Sequence, residues 1–385
     1  MNDFQWAPVG PPLPVSPPPL PPARVDFTGD RGDFRRLVTK GAALELVTFG
    51  FYRFWLVTDI RRHLWSNTSV NGDAAEYTGR AKELLLGFLF ALAILVPIYL
   101  AYFLVTIEVE RFQGFASTPL FISFYAFGQF AIYRARRYRL TRTVWRGVRF
   151  WMDGSGWAYS LRAMLWGLLV FLTLGLALPW REASLERYKM QHSHYGDLNG
   201  DFVGDGWTFF KRGWWLWLLS PVAIIIFPLA PFFYAEFKAR QWRWWLSGIR
   251  IGGVSLESKL PHDAFYGLYW KVIGWTMLLS MALGMYVSIC TALVVKLGGG
   301  SLEDVVGGDG FNSIPLLALT VIGYFAMALA FNIVMRVYLQ RDLWAKVLET
   351  THVHGIEAAA NVRASGELAS ALGEGFADGL DVAGF

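Results

Sequence analysis

One cysteine, Cys290, stands in 385 residues. No disulfide can form within the chain, and no cysteine-based metal centre can be built. Charge is also scarce, at 17% Asp, Glu, Lys and Arg. The sequence contains no Gly-x-x-x-x-Gly-Lys phosphate loop and no nucleophile elbow. The glycine-rich "KLGGGSLEDVVGGDG" at 296–310 lacks the strand, helix and lysine that phosphate chemistry needs, and reads as a flexible outer loop. Two His-x-His pairs, His192/His194 and His352/His354, would each face one side of a strand and offer two ligands. With no further ligand beside them they read as polar-loop residues. These absences leave the catalytic, metal and cofactor sets empty, and the chain does not read as an enzyme.

What is present is apolar surface. Hydrophobic residues make up 54%, mean hydropathy is +0.35, and there are 18 tryptophans, a residue that concentrates where membrane meets water. Residues 84–107, 112–133, 163–180, 213–235, 272–295 and 310–335 contain no Asp, Glu, Lys or Arg. Each approaches the roughly 20 residues a helix needs to cross a bilayer. A weaker stretch, 37–59, carries Lys40, Glu45 and Arg53. These runs predict an all-α polytopic membrane protein with six or seven transmembrane helices and internal repeats, joined by basic interfacial helices and short β-like turns. Three regions follow: a proline-rich disordered tail at 1–25, the transmembrane domain at 26–350, and a polar tail at 351–385.

Loop charge sets an orientation through the positive-inside rule. Segment 134–162 holds eight arginines against Asp153 and is expected inside, as are 60–83 and 236–271. The balanced segment 181–212 and segments 108–111 and 296–309 are expected outside. If 163–180 were re-entrant, 181–212 would stay inside. Arg134, Arg136, Arg137, Arg139 and Arg142 cluster just past an apolar run. On a helix they spread over a broad arc suited to anionic lipid headgroups, or they serve orientation alone. With a net charge of +5 beside a membrane, lipids are the expected partner and nucleic acid is not.

A pattern recurs along the chain. Thr48, Gly50, Trp55, Arg62, Thr68, Tyr77 and Gly79 return 125 residues later as Thr173, Gly175, Trp180, Arg187, Ser193, Phe202 and Gly204. At an offset of 75, Arg61, Arg62, Thr68, Gly72 and Gly79 return as Arg136, Arg137, Thr143, Gly147 and Gly154. The unit reads as an apolar helix ending near Thr-x-Gly, a basic helix, a Ser/Thr break, a strand-like stretch such as "GVRFWMDG", and an aromatic-x-Gly entry to the next helix. Gly79, Gly154 and Gly204 are expected at equivalent turns, with φ > 0 if each turn requires it.

The pattern "TLG…PW…R…RY…H…GDLNGDFVG", with "DFTGDRGDF", "EYTGRAKELLLGF" and "SGELASALGEGFADGLDV", resembles the YjgN-like family of bacterial inner-membrane proteins, a domain family of unknown function. The likeness covers residues 25–385. It implies a multi-pass protein of the bacterial inner (cytoplasmic) membrane and brings no catalytic residue. A lipid-interacting membrane or transport component is the leading function. A structural scaffold or assembly factor for a membrane complex is the alternative. Neither the substrate nor the oligomeric state is legible.

Overall fold

The computed structural model describes residues 21–108, 113–225, 230–298 and 314–370. Residues 1–20, most of the glycine-rich loop, the link at 109–112 and residues 371–385 lie outside the described residues.

Short strands dominate the topology. Among the described residues, ten antiparallel strands close into one barrel, in the order β1-β10-β9-β8-β7-β6-β5-β4-β3-β2. The chain makes five passes, each running strand, helix, helix, strand. The first is β1 (Ala23–Phe27), α1 (Arg31–Val47), α2 (Arg53–Ser66) and β2 (Thr68–Val70). The second is β3 (Asp73–Tyr77), α3 (Ala81–Glu108), α4 (Gln113–Thr141) and β4 (Thr143–Trp145). The third is β5 (Val148–Met152), α5 (Gly156–Leu172), α6 (Leu178–Gln191) and β6 (Ser193–Tyr195). The fourth is β7 (Leu198–Phe202), α7 (Gly206–Ile225), α8 (Ala230–Gly248) and β8 (Ile249–Ile251). The fifth is β9 (Val254–Ser258), α9 (Tyr266–Gly298), α10 (Ile314–Met335), a π-helical stretch Arg336–Asp342, α11 (Leu343–Glu349) and β10 (Thr351–His354). The ring closes where β10 pairs with β1, Ala23 opposite Val353.

Local chemistry explains the sharp change from helix to strand. Four of the short strands begin with Thr or Ser. Its hydroxyl donates to the carbonyl four residues back: Thr68 to Leu64 at 2.8 Å, Thr143 to Arg139 at 2.9 Å, Ser193 to Lys189 at 2.7 Å and Thr351 to Val347 at 2.7 Å. Such back-bonding competes with helix propagation. Two-residue turns then reverse the chain. Asn71-Gly72 (φ 54° and 88°) and Arg146-Gly147 (φ 48° and 75°) hold both central residues in the left-handed region, as the hairpin twist requires.

These observations overturn the all-α bundle of six or seven spans. Strands of three to five residues leave little alternation in the sequence, and apart from β5, within the strand-like "GVRFWMDG", they hide between stronger helical signals. The longest cover about 17 Å at roughly 3.3 Å per residue, against the 9–11 residues of a membrane-spanning strand. Among the described residues, three helices are long and apolar enough to cross a membrane: Ala81–Leu104, Tyr266–Leu297 and Leu316–Glu349. The run 163–180 is instead broken between α5 and α6 and 37–59 between α1 and α2, while 213–235 includes residues 226–229, which lie outside the described residues.

The orientation drawn from loop charge changes with it. Segments 68–77, 143–152, 193–202 and 249–258 belong to one closed sheet, and a bilayer cannot pass between neighbours of a hydrogen-bonded ring. Segment 181–212 therefore stands on the same side as 134–162 and 236–271, the arrangement tied to a re-entrant 163–180. Each helix pair leaves the barrel and returns to it.

The first and third pairs end in the same apolar turn. Thr48, Phe49 and Gly50 match Thr173, Leu174 and Gly175, with φ of 50° and 88° at Phe49 and Gly50, and 51° and 91° at Leu174 and Gly175. Each threonine hydroxyl donates to the carbonyl four residues back, Leu44 or Leu169, both at 2.7 Å. It also accepts from the N–H that opens the next helix, at Tyr52 (2.9 Å) or Ala177 (3.1 Å). One hydroxyl thus finishes one helix and starts the other.

Candidate functional site

The second helix of each pair contributes residues to one of two adjoining cavities. On α6, Glu182, Glu186 and Lys189 are spaced i, i+4, i+7 and so share a face. On α4, Arg136 and Arg139 are spaced i, i+3. With Lys238 and Gln241 of α8, they border a cavity of about 330 Å³ walled by Trp242, Trp244 and Trp245. A second cavity, of about 450 Å³, is bordered by Glu45, Arg53, Arg61, Asn332, Arg336 and Gln340. Arg139 and Leu339 line both, so the two cavities adjoin, and together they make an axial chamber to which all five helix pairs contribute lining residues. Among the described lining residues, seven cations face three carboxylates. The π-helical stretch supplies Arg336, Leu339 and Gln340, an irregularity frequent at functional sites.

Glu186 organises the charge. Its Oε2 accepts from Arg136 Nη1 at 3.0 Å, and its Oε1 accepts from Lys189 Nζ. The Arg136 and Glu186 side chains are 18% and 11% exposed. Burial alone would raise the Glu186 carboxyl, but Lys189 and Arg136 outweigh it and hold it at about 2. Lys238 donates to Gln241 Oε1 at 3.0 Å. Burial draws its ammonium below the ordinary lysine value, opposed by Glu182. Cations thus outnumber carboxylates among the lining residues, and one fixed carboxylate sets the position of two of them.

The arginine cluster is divided among separate environments rather than laid out as one surface arc. Arg136 and Arg139 face the chamber. Arg142 pairs with Glu83 at 2.8 Å, and the Tyr138 hydroxyl donates to the same carboxylate at 2.9 Å. Arg134 lies 5.2 Å from the Phe130 ring. Arg137 is half-buried.

Gly79, Gly154 and Gly204 sit in the links β3–α3, β5–α5 and β7–α7. Only Gly154 of the three has positive φ, at 78°. At Gly79 and Gly204 the constraint is contact. A Cβ would lie 2.6 Å from the Tyr77 ring, or 2.3 Å from the Phe202 ring. The freed carbonyls are gripped by arginine: Arg62 Nη2 donates to Gly79 O at 2.9 Å, and Arg187 Nη2 to Gly204 O at 3.2 Å. Across the seam of the ring, Arg341 Nη2 donates to Gly29 O at 2.5 Å. Three of the four paired histidines lie in strands rather than in polar loops, His194 in β6 and His352 and His354 in β10. His192 Nδ1 lies 2.7 Å from the Tyr188 carbonyl and His194 Nδ1 2.9 Å from Asn199 Oδ1, while His354 meets Glu257 at 2.9 Å.

The chain belongs to the DUF898 family. That family, described as bacterial proteins of unknown function, matches residues 22–236 and 216–379, and it includes the YjgN-like proteins. No curated protein and no solved structure is similar to the chain.

Sequence reasoning found Arg136 and Arg139 but missed Glu182, Glu186, Lys189, Lys238 and Gln241. A signal existed. The offsets of 75 and 125 that carry Arg61 to Arg136 also carry it to Glu186, and the exchange of an arginine for a glutamate at related positions marks a buried ion pair.

Proposed function

We propose that this DUF898 protein is a multi-pass component of the bacterial inner membrane that holds an anionic group in its axial chamber. The barrel is a platform on one side of the bilayer. The three long apolar helices, and the apolar tips of the first and third pairs, are the parts in contact with lipid. We also infer that the five passes are copies of one unit, a reading supported by the residue correspondences at offsets of 75 and 125. The observation that carries the functional reading is the chamber itself, with seven cations against three carboxylates at the foot of the membrane helices. A cation-lined enclosure with low-dielectric walls concentrates anions, and arginine suits phosphate through its two-pronged donor geometry. An anionic lipid headgroup and a free phosphorylated solute share that chemistry, so lipid handling and transport share the site.

Thermal unfolding of the purified full chain in detergent separates the cases. Dioleoyl phosphatidylglycerol or inorganic phosphate is expected to raise the midpoint, dioleoyl phosphatidylcholine is not, and Arg139→Gln is expected to reduce the response. Stabilisation by the lipid alone identifies a headgroup, and stabilisation by phosphate as well identifies a solute site. Equal responses to both lipids with none to phosphate would reject the site. A single stoichiometric protein partner, co-purifying without any ligand response, would favour the scaffold.

A further inference from the structure

The larger cavity of the chamber, of about 450 Å³, is lined at several heights above the barrel. Arg139 and Arg61 stand four and seven residues before the strands their helices join, about 6 Å and 10 Å up at roughly 1.5 Å per residue. Arg53 is fifteen residues before Thr68, and Glu45 is fourteen residues after Arg31, so both stand about 20 Å up. Arg336, fifteen residues before Thr351, lies near the same level. Asn332 borders the cavity one turn further along, within Leu316–Glu349, a helix long and apolar enough to cross a membrane. At that height the neighbouring helices are apolar. α3, α5 and α9 expose Ile94, Leu168 and Met281, which lie thirteen, twelve and fifteen residues into their helices. Charged side chains gathered into a cavity at the level where neighbouring helices are apolar mark a place for a polar group.

We propose, resting on the anion-holding reading of the chamber, that this cavity takes the headgroup of an anionic phospholipid from the leaflet beside the first pair. Its phosphate lies between Arg53 and Arg336, and its acyl chains stay outside on apolar helix faces. Charge selects the headgroup: among the described lining residues, four arginines face one carboxylate, Glu45. Height selects a lipid over a water-soluble anion. α1 has 17 residues, about 25 Å, and the pair turns back at the exposed Phe49. That falls short of the roughly 30 Å hydrocarbon core. Beyond Asn332, from Phe331 back to Ile314, α10 carries no charged or amide side chain. The polar lining therefore ends part-way through the membrane. A soluble anion crossing the bilayer would lose its partners there. A lipid needs such partners for its headgroup alone, and within its own leaflet.

Full-chain protein is delipidated in detergent and re-exposed to dioleoyl phosphatidylglycerol or dioleoyl phosphatidylcholine, and retained lipid is counted by native mass spectrometry. Glycerophosphoglycerol, the same headgroup without acyl chains, is the competitor. The wild type is expected to hold the phosphatidylglycerol about tenfold more tightly than the phosphatidylcholine, and a roughly hundredfold excess of competitor should leave most of it bound, since the chains add apolar contact. Arg53→Gln and Arg336→Gln should each weaken that retention about fivefold. Arg36→Gln removes an exposed α1 cation that borders neither cavity, and should leave retention unchanged. The competition uses the wild type alone, so it decides the matter even if the arginine variants fail to fold. Unchanged retention in both variants, the same loss in Arg36→Gln, or displacement by an equal concentration of glycerophosphoglycerol would overturn the proposal. Lys238 borders only the smaller cavity. If Lys238→Gln weakens phosphatidylglycerol retention while Arg53→Gln and Arg336→Gln do not, the anion site stands and the lipid site at Arg53 and Arg336 falls. No preference between the two lipids, with no response to inorganic phosphate, rejects both.

Discussion

Thr48–Gly50 and Thr173–Gly175 turn the chain through the same backbone, yet only one of them rests on the rest of the protein. In the first pair, Phe49 is 94% exposed and Val47 74%. In the third, Leu174 is 83% exposed, but its carbonyl is held by Trp217 of the neighbouring helix. At their bases the two pairs differ again. The third carries Glu186 where the first carries Arg61, and Glu186 binds Arg136 of the pair before it. Identical local instructions therefore leave a tip exposed in one place and hold it against a neighbouring helix in another. Neighbours, not turn chemistry, decide which.

The comparison is broken most severely at the base of the third pair. Glu186→Gln leaves Arg136 and Lys189 buried without their counter-charge, and a cost of about 3–5 kcal/mol is expected, read as a fall in the unfolding midpoint. Arg61→Gln, at the related place in the first pair, should cost less. Acid sharpens the same contrast. The Glu186 carboxyl sits at about 2 in the folded protein against an ordinary 4.5. Its stabilisation, about 3 kcal/mol, is present above pH 4.5 and is lost as pH falls from 4.5 towards 2. Unfolding followed across that window should show the loss in the wild type and its absence in Glu186→Gln.

Smaller effects are expected at the tips. Gly50→Ala and Gly175→Ala each place a side chain at φ near 90° (88° and 91°), at a cost of about 1 kcal/mol. Equal losses would show that the turn, not its neighbour, sets the requirement. Trp217→Phe removes one hydrogen bond, worth about 1 kcal/mol. Amide exchange at 171–177 should then rise to the level at 46–52. Phe49→Ser should leave the unfolding midpoint unchanged and weaken insertion of the first tip into phosphatidylglycerol vesicles, followed by depth-dependent quenching of a probe at position 47.

The sequence carried the helix tips, the aromatic-x-Gly links and the basic second helices, because each is written in residues with strong local preferences. It did not carry the barrel. Thr68–Val70 and Ser193–Tyr195 are three residues each, shorter than any alternation can register, and their pairing is decided by which neighbours the helix pairs bring together. Apolar runs also misled where a turn itself is apolar. Residues 163–180 are uncharged throughout, yet Thr173 ends a helix there by bonding its own backbone. In the chamber, arginines were visible as a cluster, but their partition between Glu186, Glu83 and the axis depended on residues up to 59 positions away.

The seam between β1 and β10 has a kinetic meaning. Ala23 finds Val353 only after more than three hundred further residues have been made, roughly half a minute at about 10 residues per second. Throughout that interval one edge of β1 presents unpaired donors and acceptors, the kind of edge that recruits foreign strands. The last strand to emerge is therefore the one that seals the ring. A ribosome that stalls before residue 351 leaves an open, adhesive crescent where the ten described strands otherwise close a ring.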